Sequence, residues 1–553
     1  MKNAISSISR VAITALLTSI VTFVSLNGQE QTVGLFLNDS TAFNGYTLFA
    51  PLQYTTTYLI DNNGLLVHSW GSNFFPGNSV YLLESGHLLR TGMLQNQTFT
   101  AGGAGGLVQE FDWEGNLLWD FEYANSQYLQ HHDIEWLPNG NVLLIAWEYK
   151  TAAEAITAGR DPALLKDGEL WPDHIIEVEP DGVSGGNIVW EWHVWDHLIQ
   201  DQDSTKENYG VVADHPELVD INFVTSFGPA QGRADWTHVN SIDYDEEFDQ
   251  ILLSVPRFSE IWVLDHSTST AEAAGHTGGN SGKGGDILYR WGNPQAYRAG
   301  NTGDRKLFSQ HDAQWIETGL PGAGNILIFN NGNGRGGPGG NYSSVDEIVP
   351  PVDENGNYPL IPGAAYGPAE AVWSYTAESP ADFFANHISG AQRLPNGNTL
   401  ICDGPSGIFF EVTSEGETVW KYINPVTDEG PLTQGNPIPE GQNGLTNQVF
   451  RSYRYAPDYS GLDGRDLTPR DPIELYPPEE GTKGDVNDDG QINVLDVVKL
   501  VCIILNTCEY DEAMFVRADW NEDGQVNVLD AVGIVQYILG EEPQRSIEIS
   551  RVK

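Results

Sequence analysis

The chain has 553 residues, too many for one ordinary compact domain unless a repeat takes up most of it. Lys and Arg number 27 against 76 Asp and Glu, a formal charge of −49. A field of that sign excludes long-range attraction to nucleic acid or anionic lipid, and an anionic substrate would need local cations inside its own site.

Lys2 and Arg10 bracket the start of an apolar run from Val11 to about Val24, and polar residues follow from Asn27. This is the pattern of a cleavable export leader, expected over residues 1–28. The run is short for a membrane span and no second candidate follows. The protein is therefore expected to be exported, whether periplasmic, cell-surface or secreted, with no stable membrane insertion after cleavage. Three cysteines exclude a disulfide scaffold. Cys402, in the strand-like run Thr399-Leu400-Ile401-Cys402, reads as a buried apolar residue. Cys502 and Cys508 can pair only if a helix ends between them, because their spacing in continuous helix is about 9 Å of rise.

From about residue 60 to 425 a phrase recurs: a His, a strand, a tight polar turn, an apolar strand, and later a strand ending in Val-Trp or Leu-Trp. Its clearest copies run His132-Asp133-Ile134-Glu135-Trp136-Leu137-Pro138-Asn139-Gly140-Asn141 and His387-Ile388-Ser389-Gly390-Ala391-Gln392-Arg393-Leu394-Pro395-Asn396-Gly397-Asn398. Asn-Gly between short apolar runs is a strong hairpin signal. Variants open at His238 and His311, and Val80–Leu89 is a copy without the His. Outer-strand endings fall at Trp119, Trp190, Trp373 and Trp420. Four short strands repeated five or six times predict an all-β fold, a β-propeller spanning residues 29–465, with residues 151–172, 200–232 and 335–368 as insertions on its faces. Successive blades would then bring His132, His238, His311 and His387 to one channel.

A Pro-rich, acidic stretch over 466–483 reads as a semi-stiff linker. Asp485-Val486-Asn487-Asp488-Asp489-Gly490-Gln491-Ile492-Asn493-Val494-Leu495-Asp496 then places oxygen-bearing side chains at positions 1, 3, 5, 9 and 12 of a loop with Gly at 6, and the phrase returns at Asp519-Trp520-Asn521-Glu522-Asp523-Gly524-Gln525-Val526-Asn527-Val528-Leu529-Asp530. This is the EF-hand pattern, in which position 7 (Gln491, Gln525) ligates through its backbone carbonyl. Two calcium ions are expected, held by Asp485, Asn487, Asp489, Gln491, Asn493 and Asp496 and by Asp519, Asn521, Asp523, Gln525, Asn527 and Asp530. Each loop runs into an apolar helix, Val494–Leu505 and Val528–Leu539. The pair, over 484–540, resembles a dockerin, which implies a small all-α module and a cohesin-type protein partner; a self-contained calcium-stabilised tail is the alternative. Residues 541–553 form a polar tail.

The series His132-Asp133, Asp235-Trp236-Thr237-His238-Val239-Asn240-Ser241, Arg257, Ser309-Gln310-His311-Asp312-Ala313-Gln314 and Asn330-Asn331-Gly332-Asn333-Gly334-Arg335-Gly336, with the late phrase Phe450-Arg451-Ser452-Tyr453-Arg454-Tyr455, resembles the bacterial arylsulfotransferase family over about 40–460. The resemblance implies a six-bladed propeller that moves a sulfuryl group from an aryl sulfate donor to a phenolic acceptor without a nucleotide. It implies His311 as nucleophile, with His132, His238 and Arg257 around the transferred group. The chemistry is consistent: a neutral imidazole is a competent nucleophile, and a guanidinium with two imidazoles can neutralise sulfuryl oxygens.

Asn330 and Asn331 stand where an Asp-bearing form is expected. The absence of Gly-Lys-Ser/Thr in that glycine-rich phrase argues against a nucleotide phosphate loop. Asn240 and Arg335 are weak candidates for the site wall. Trp136, Trp236 and Trp315 fit blade packing better than stacking on an aryl group. The competing functions are a propeller that binds ligands or glycans without turnover, displayed through the dockerin-like module, and a hydrolase that passes the sulfuryl group to water.

Overall fold

A computed structural model describes residues 31–224, 232–336, 339–476 and 481–539; the expected leader and the polar tail lie outside them. Six antiparallel sheets follow one another around a ring, so the propeller is six-bladed. Their inner strands are Val449–Tyr455, Pro76–Leu82, Tyr128–Trp136, Ser241–Asp245, His311–Trp315 and Gly390–Arg393, for blades one to six, and each touches the next around a closed circle. The chain closes that circle twice. Its last propeller strand, Val449–Tyr455, forms the inner edge of blade one beside Tyr46–Pro51, while Gly34–Asn38 adds a fifth strand outside Thr418–Ile423 of blade six.

Each blade is built from the pattern the sequence repeats. In blade three Val142–Glu148 is covered on both faces and is accordingly almost wholly apolar, and Gly140 at φ 88° closes the turn before it. The Trp on each outer strand has a constant task. Its indole N–H donates to the loop between the third and fourth strands of the next blade: Trp70 to Asp112 O, Trp119 to Gly185 O, Trp190 to Thr268 Oγ1, Trp291 to Pro368 O, Trp373 to Ser414 O and Trp420 to Asn62 O, at 2.7–3.1 Å. Six such clasps complete the ring, each joining a large apolar body to one satisfied polar tip.

The expected linker is partly propeller. Arg470 N–H donates to Leu66 O, Leu475 N–H to Leu432 O, and Ile473 is buried in the core between blades one and six. Residues 470–475 are therefore hydrogen-bonded to the blades rather than free.

Among the described residues after Gly481 the chain forms three helices, Val494–Ile504, Glu512–Ala518 and Val528–Ile538. The middle one has no place in the sequence expectation; Asp511 caps it by accepting from Met514 N–H at 2.7 Å. The first helix ends at Ile504, which lets Cys502 and Cys508, with Cα atoms 5.6 Å apart, form a disulfide. Cys402 is buried within its strand. Among the described residues no helix is long and apolar enough to cross a membrane.

Candidate active site

The histidines of the repeated phrase lie at or just before the start of their inner strands, except His132, which lies within Tyr128–Trp136, and the backbone at these points is irregular. In blade three Ile134 pairs with Leu144 and Gln130 with Ala146, so His131, His132 and Asp133 bulge opposite the single residue Ile145. His132 has φ 55° and His238 φ 57°; in blade five the extra residue is Asp312, at φ 51°. Left-handed backbone at residues other than glycine is costly, and a bulge re-aims side chains that a regular strand would send to its two faces. The strain thus falls on the residues expected to do chemistry. A Cβ on Gly103 would collide with the His132 ring, so only glycine permits that ring its position.

The structure brings His132, His238, His311 and Arg257 together. The rings of His132 and His238 are 4.6 Å apart. His311 is buried, and burial together with the neighbouring His238 and Arg451 pushes its imidazole down to about 3. Its ring is oriented by Asn331, whose Oδ1 lies 2.8 Å from His311 Nδ1. The Asn331 amide N–H groups donate to Ala385 O and Ile388 O, so Oδ1 must be the acceptor. His311 therefore carries its proton on Nδ1 and a lone pair on Nε2. The Asn331 that departs from the expected pattern fixes this tautomer. Asn330 pins the same loop by accepting from Phe308 N–H and donating to Lys306 O and Asp346 Oδ2.

A second relay serves His132. Asp173 Oδ2 accepts from Thr237 Oγ1–H and from Val239 N–H, and its Oδ1 lies 2.6 Å from His131 Nε2. His131, stacked on Trp147 at 3.8 Å, faces His132 Nδ1 with its own Nδ1 at 2.8 Å. Burial holds both imidazoles below their ordinary range. With the His131 proton on Nε2 toward Asp173, His131 Nδ1 accepts from His132 Nδ1–H, which leaves His132 Nε2 with a lone pair. His238 is placed differently. Its Nδ1 lies 2.7 Å from Asp235 Oδ2, which also pairs with Arg257 Nη2 at 3.0 Å. Burial alone would raise Asp235, but His238 and Arg257 hold it well below the usual carboxylate range.

His238 and Arg257 form part of the wall of a cavity of about 1070 Å³, with Asp235, Trp171, Arg233 and Ser309. Among the described residues four buried polar atoms there have no hydrogen-bond partner: Arg257 Nε, Trp171 Nε1, Asp235 Oδ1 and His238 Nδ1, whose approach to Asp235 is an ion-pair contact without hydrogen-bond geometry. Behind the histidines Arg451 crosses the channel, bonding Asp133 Oδ2 and Asn240 O, each at 2.7 Å, and lying 3.2 Å from Asp312 Oδ1. His387, half-buried at the start of blade six, bonds Asn386 Oδ1 at 2.5 Å. Asn240 and Arg335 do not line the cavity: Asn240 Nδ2 is tied to Gln310 O and Arg335 to Ser344 Oγ. Trp236 packs against Phe258 in the core, and the indole in the cavity wall is Trp171 instead.

In the C-terminal module the two loops have the same conformation. Asp488 and Glu522 have φ 60°, and Gly490 and Gly524 have φ 81° and 79°. In each loop the first Asp accepts from two backbone N–H groups, Asp489 and Gly490 on Asp485, Asp523 and Gly524 on Asp519. The twelfth-position Asp496 accepts from Asn487 and Asn493, and Asp530 from Asn521 and Asn527. Asn493 and Asn527 spend Oδ1 on capping their helices. The oxygen-only donor set of Asp485, Asn487, Asp489, the Gln491 carbonyl and Asp496, with its repeat, fits a hard cation.

The arylsulfotransferase (ASST) family profile matches residues 44–434, and a dockerin type I domain profile matches residues 483–539. The chain belongs to the arylsulfotransferase family. Arylsulfate sulfotransferase AssT of Escherichia coli is 26% identical over 392 residues, covering 64% of this chain and 58% of that protein; its namesake in Lelliottia amnigena is 24% identical over 385 residues with the same coverage. This arylsulfotransferase chain thus spans less than two thirds of the length of the curated relatives it matches. A solved Bacteroides caccae protein of unknown function aligns at a TM-score of 0.35 and 12% identity, covering 74% of this chain and 98% of that one, too distant to bear on function. Sequence reasoning missed His131 and Asp173 as supports of His132, and gave no role to Asn331 or Arg451 within the phrases that contain them, because each acts through a contact that only the folded chain makes.

Proposed function

We propose that the protein is an exported sulfotransferase that moves a sulfuryl group from an aryl sulfate to a phenol, through a sulfohistidine at His311. The observation that carries the reading is the Asn331 bond to His311 Nδ1, which leaves Nε2 as the lone pair of a neutral ring. In this scheme His311 Nε2 attacks sulfur and the sulfur–aryloxygen bond breaks. The departing phenolate takes a proton from His238, whose Nδ1 lies beside the Asp235 carboxylate. An acceptor phenol then gives its proton to His238 and attacks sulfur, and the nitrogen–sulfur bond breaks. Arg257, with its unpartnered Nε, supplies charge for the sulfuryl oxygens, and the His132 ring lies beside that of His238. No nucleotide is needed. The dockerin domain would hold two calcium ions and tie the enzyme to a cohesin-type partner outside the cell.

Incubation with an aryl sulfate and no acceptor should release one equivalent of phenol and leave one SO3 on His311, which added phenol discharges. His311→Asn should lose both steps, with turnover reduced about 10³-fold or more while the fold is kept. Normal turnover with an unmodified His311 would refute the covalent route.

A further inference from the structure

Away from the channel histidines, between blades three and four, two further histidines and a carboxylate come together. Strand Gly186–His193 of blade three runs into a short helical turn, Val194–His197. From blade four, the segment after strand Glu260–Asp265 forms the helix Thr270–Ala273 and a glycine-rich loop containing His276 and Asp286. Gly278, Gly279, Gly282 and Gly284, all at positive φ, bend that loop back on itself, and Gly285 N–H donates to Gly275 O at 3.0 Å. Two imidazoles thereby meet one carboxylate oxygen: Asp286 Oδ1 is 2.9 Å from His197 Nδ1 and 2.7 Å from His276 Nδ1.

The geometry points to this trio as a zinc site, with His197 Nδ1, His276 Nδ1 and Asp286 Oδ1 as ligands and a water in the fourth place. The donor and acceptor balance carries the argument. His197 Nε2 lies 2.8 Å from Ala273 O, a carbonyl that can only accept, so Nε2 bears a proton. In a neutral ring Nδ1 then has a lone pair, and this lone pair faces the carboxylate oxygen. Without a metal ion, two acceptor atoms face each other and a further proton must lie between them, at a side chain with 0% exposure. A metal ion satisfies both lone pairs.

The bond from Nε2–H to a backbone carbonyl is also what orients a metal-bound imidazole. The ring is further fixed by stacking on Trp192 at 10° and 5.7 Å, and Trp192 in turn donates to Gly285 O at 2.7 Å. A Cβ on Gly285 would collide with the Ala273 carbonyl and stand 2.7 Å from His197 Nε2, so the support leaves no spare room. Zinc bonds of about 2.0–2.1 Å place tetrahedral ligand atoms about 3.3 Å apart, so the two contacts of Asp286 Oδ1 would open by a few tenths of an ångström, in a trio whose ligand atoms all lie within 4.8 Å of one another. Two nitrogens and one oxygen select a transition ion over calcium. His276, exposed at 59%, leaves the fourth position open to water. Since one ligand comes from blade three and two from blade four, the ion would cross-link neighbouring blades and anchor a loop on which the blade-three insertion rests, through Ile287 N–H to Glu217 O at 3.1 Å.

The test is a cobalt titration of the full-length chain, made without a polyhistidine tag and kept in excess calcium so that the C-terminal loops are filled. One equivalent of Co²⁺ should produce the visible absorption of a low-coordinate nitrogen–oxygen site, and Zn²⁺ should bleach it. His276→Ala, a change at an exposed ring that leaves the packing intact, should weaken Co²⁺ binding roughly 100-fold. Absence of a visible band at one equivalent overturns the proposal. So does His276→Ala binding with wild-type affinity, which would place the ion among the channel histidines.

Discussion

The two parts of the chain solve the same problem, holding polar groups in a fixed array, in opposite ways. In the propeller each working side chain is positioned by another part of the protein: His311 by Asn331, His131 by Asp173, Arg451 by Asp133 and Asn240. In the C-terminal module the carboxylates of Asp485, Asp496, Asp519 and Asp530 are gathered around a loop centre, with backbone N–H groups as their protein partners. Like charges drawn together with so little protein countercharge need a cation to be stable. The catalytic array of the propeller finds its partners within the protein, whereas that of the module, on the proposed reading, finds them in an ion.

The sharpest way to break this contrast is to remove calcium while keeping zinc supplied. The module should lose its helices and become open to protease between residues 483 and 539, and calcium should restore them, while the sheets persist. The far-ultraviolet helical signal reads this directly, because the longest helices among the described residues belong to the module. A module that stays helical and protease-resistant without calcium would erase the contrast.

That difference also decided what could be read from sequence. The two EF-hand-like loops are legible because every proposed ligand of one loop lies within twelve residues and the phrase is duplicated. The blades are legible for a related reason: the Asn-Gly turns and the outer Trp residues recur, and the clasp each Trp makes is repeated with it. Closure of the ring by Gly34–Asn38 and by Val449–Tyr455 pairs segments hundreds of residues apart, and no local pattern encodes it. The supports of the site are hidden in the same way. Asn331 reaches Ala385 and Ile388 across two blades, and Asp173 acts on His132 only through His131, which in the sequence is simply the preceding residue.

If positioning inside the propeller is as self-sufficient as this, its supports should cost catalysis in proportion to their directness. Asn331→Ala frees the His311 ring to adopt either tautomer and should lower kcat about 10²-fold or more, with the KM for aryl sulfate little changed. His131→Leu keeps the bulk against Trp147 but removes the acceptor for His132 Nδ1–H. Its effect should be smaller, roughly tenfold, and confined to kcat. Equal losses in KM and kcat for Asn331→Ala would point to a collapsed pocket and remove the orienting role.

The smallest effect isolates the protonation state of His311 itself. An ordinary histidine titrates near 6.5 and the buried His311 is pushed down to about 3, so across that interval the unfolded chain binds a proton that the folded chain refuses. Stability from this group is therefore complete above the unfolded value and is lost as pH falls from about 6.5 toward about 3. Buried carboxyls work the other way. Burial raises Asp312 to about 6 and Asp243 to about 7, so their contribution is complete at low pH and fades as pH rises through those values. Wild-type Tm alone would mix the two trends, but His311→Asn retains both carboxyls and lacks the imidazole. The difference in Tm, wild type minus variant, should move steadily against the wild type on acidification from about pH 7 to about pH 4. A difference that stays flat would mean that His311 is not held neutral by its surroundings, and the lone pair assigned to Nε2 would lose its physical basis.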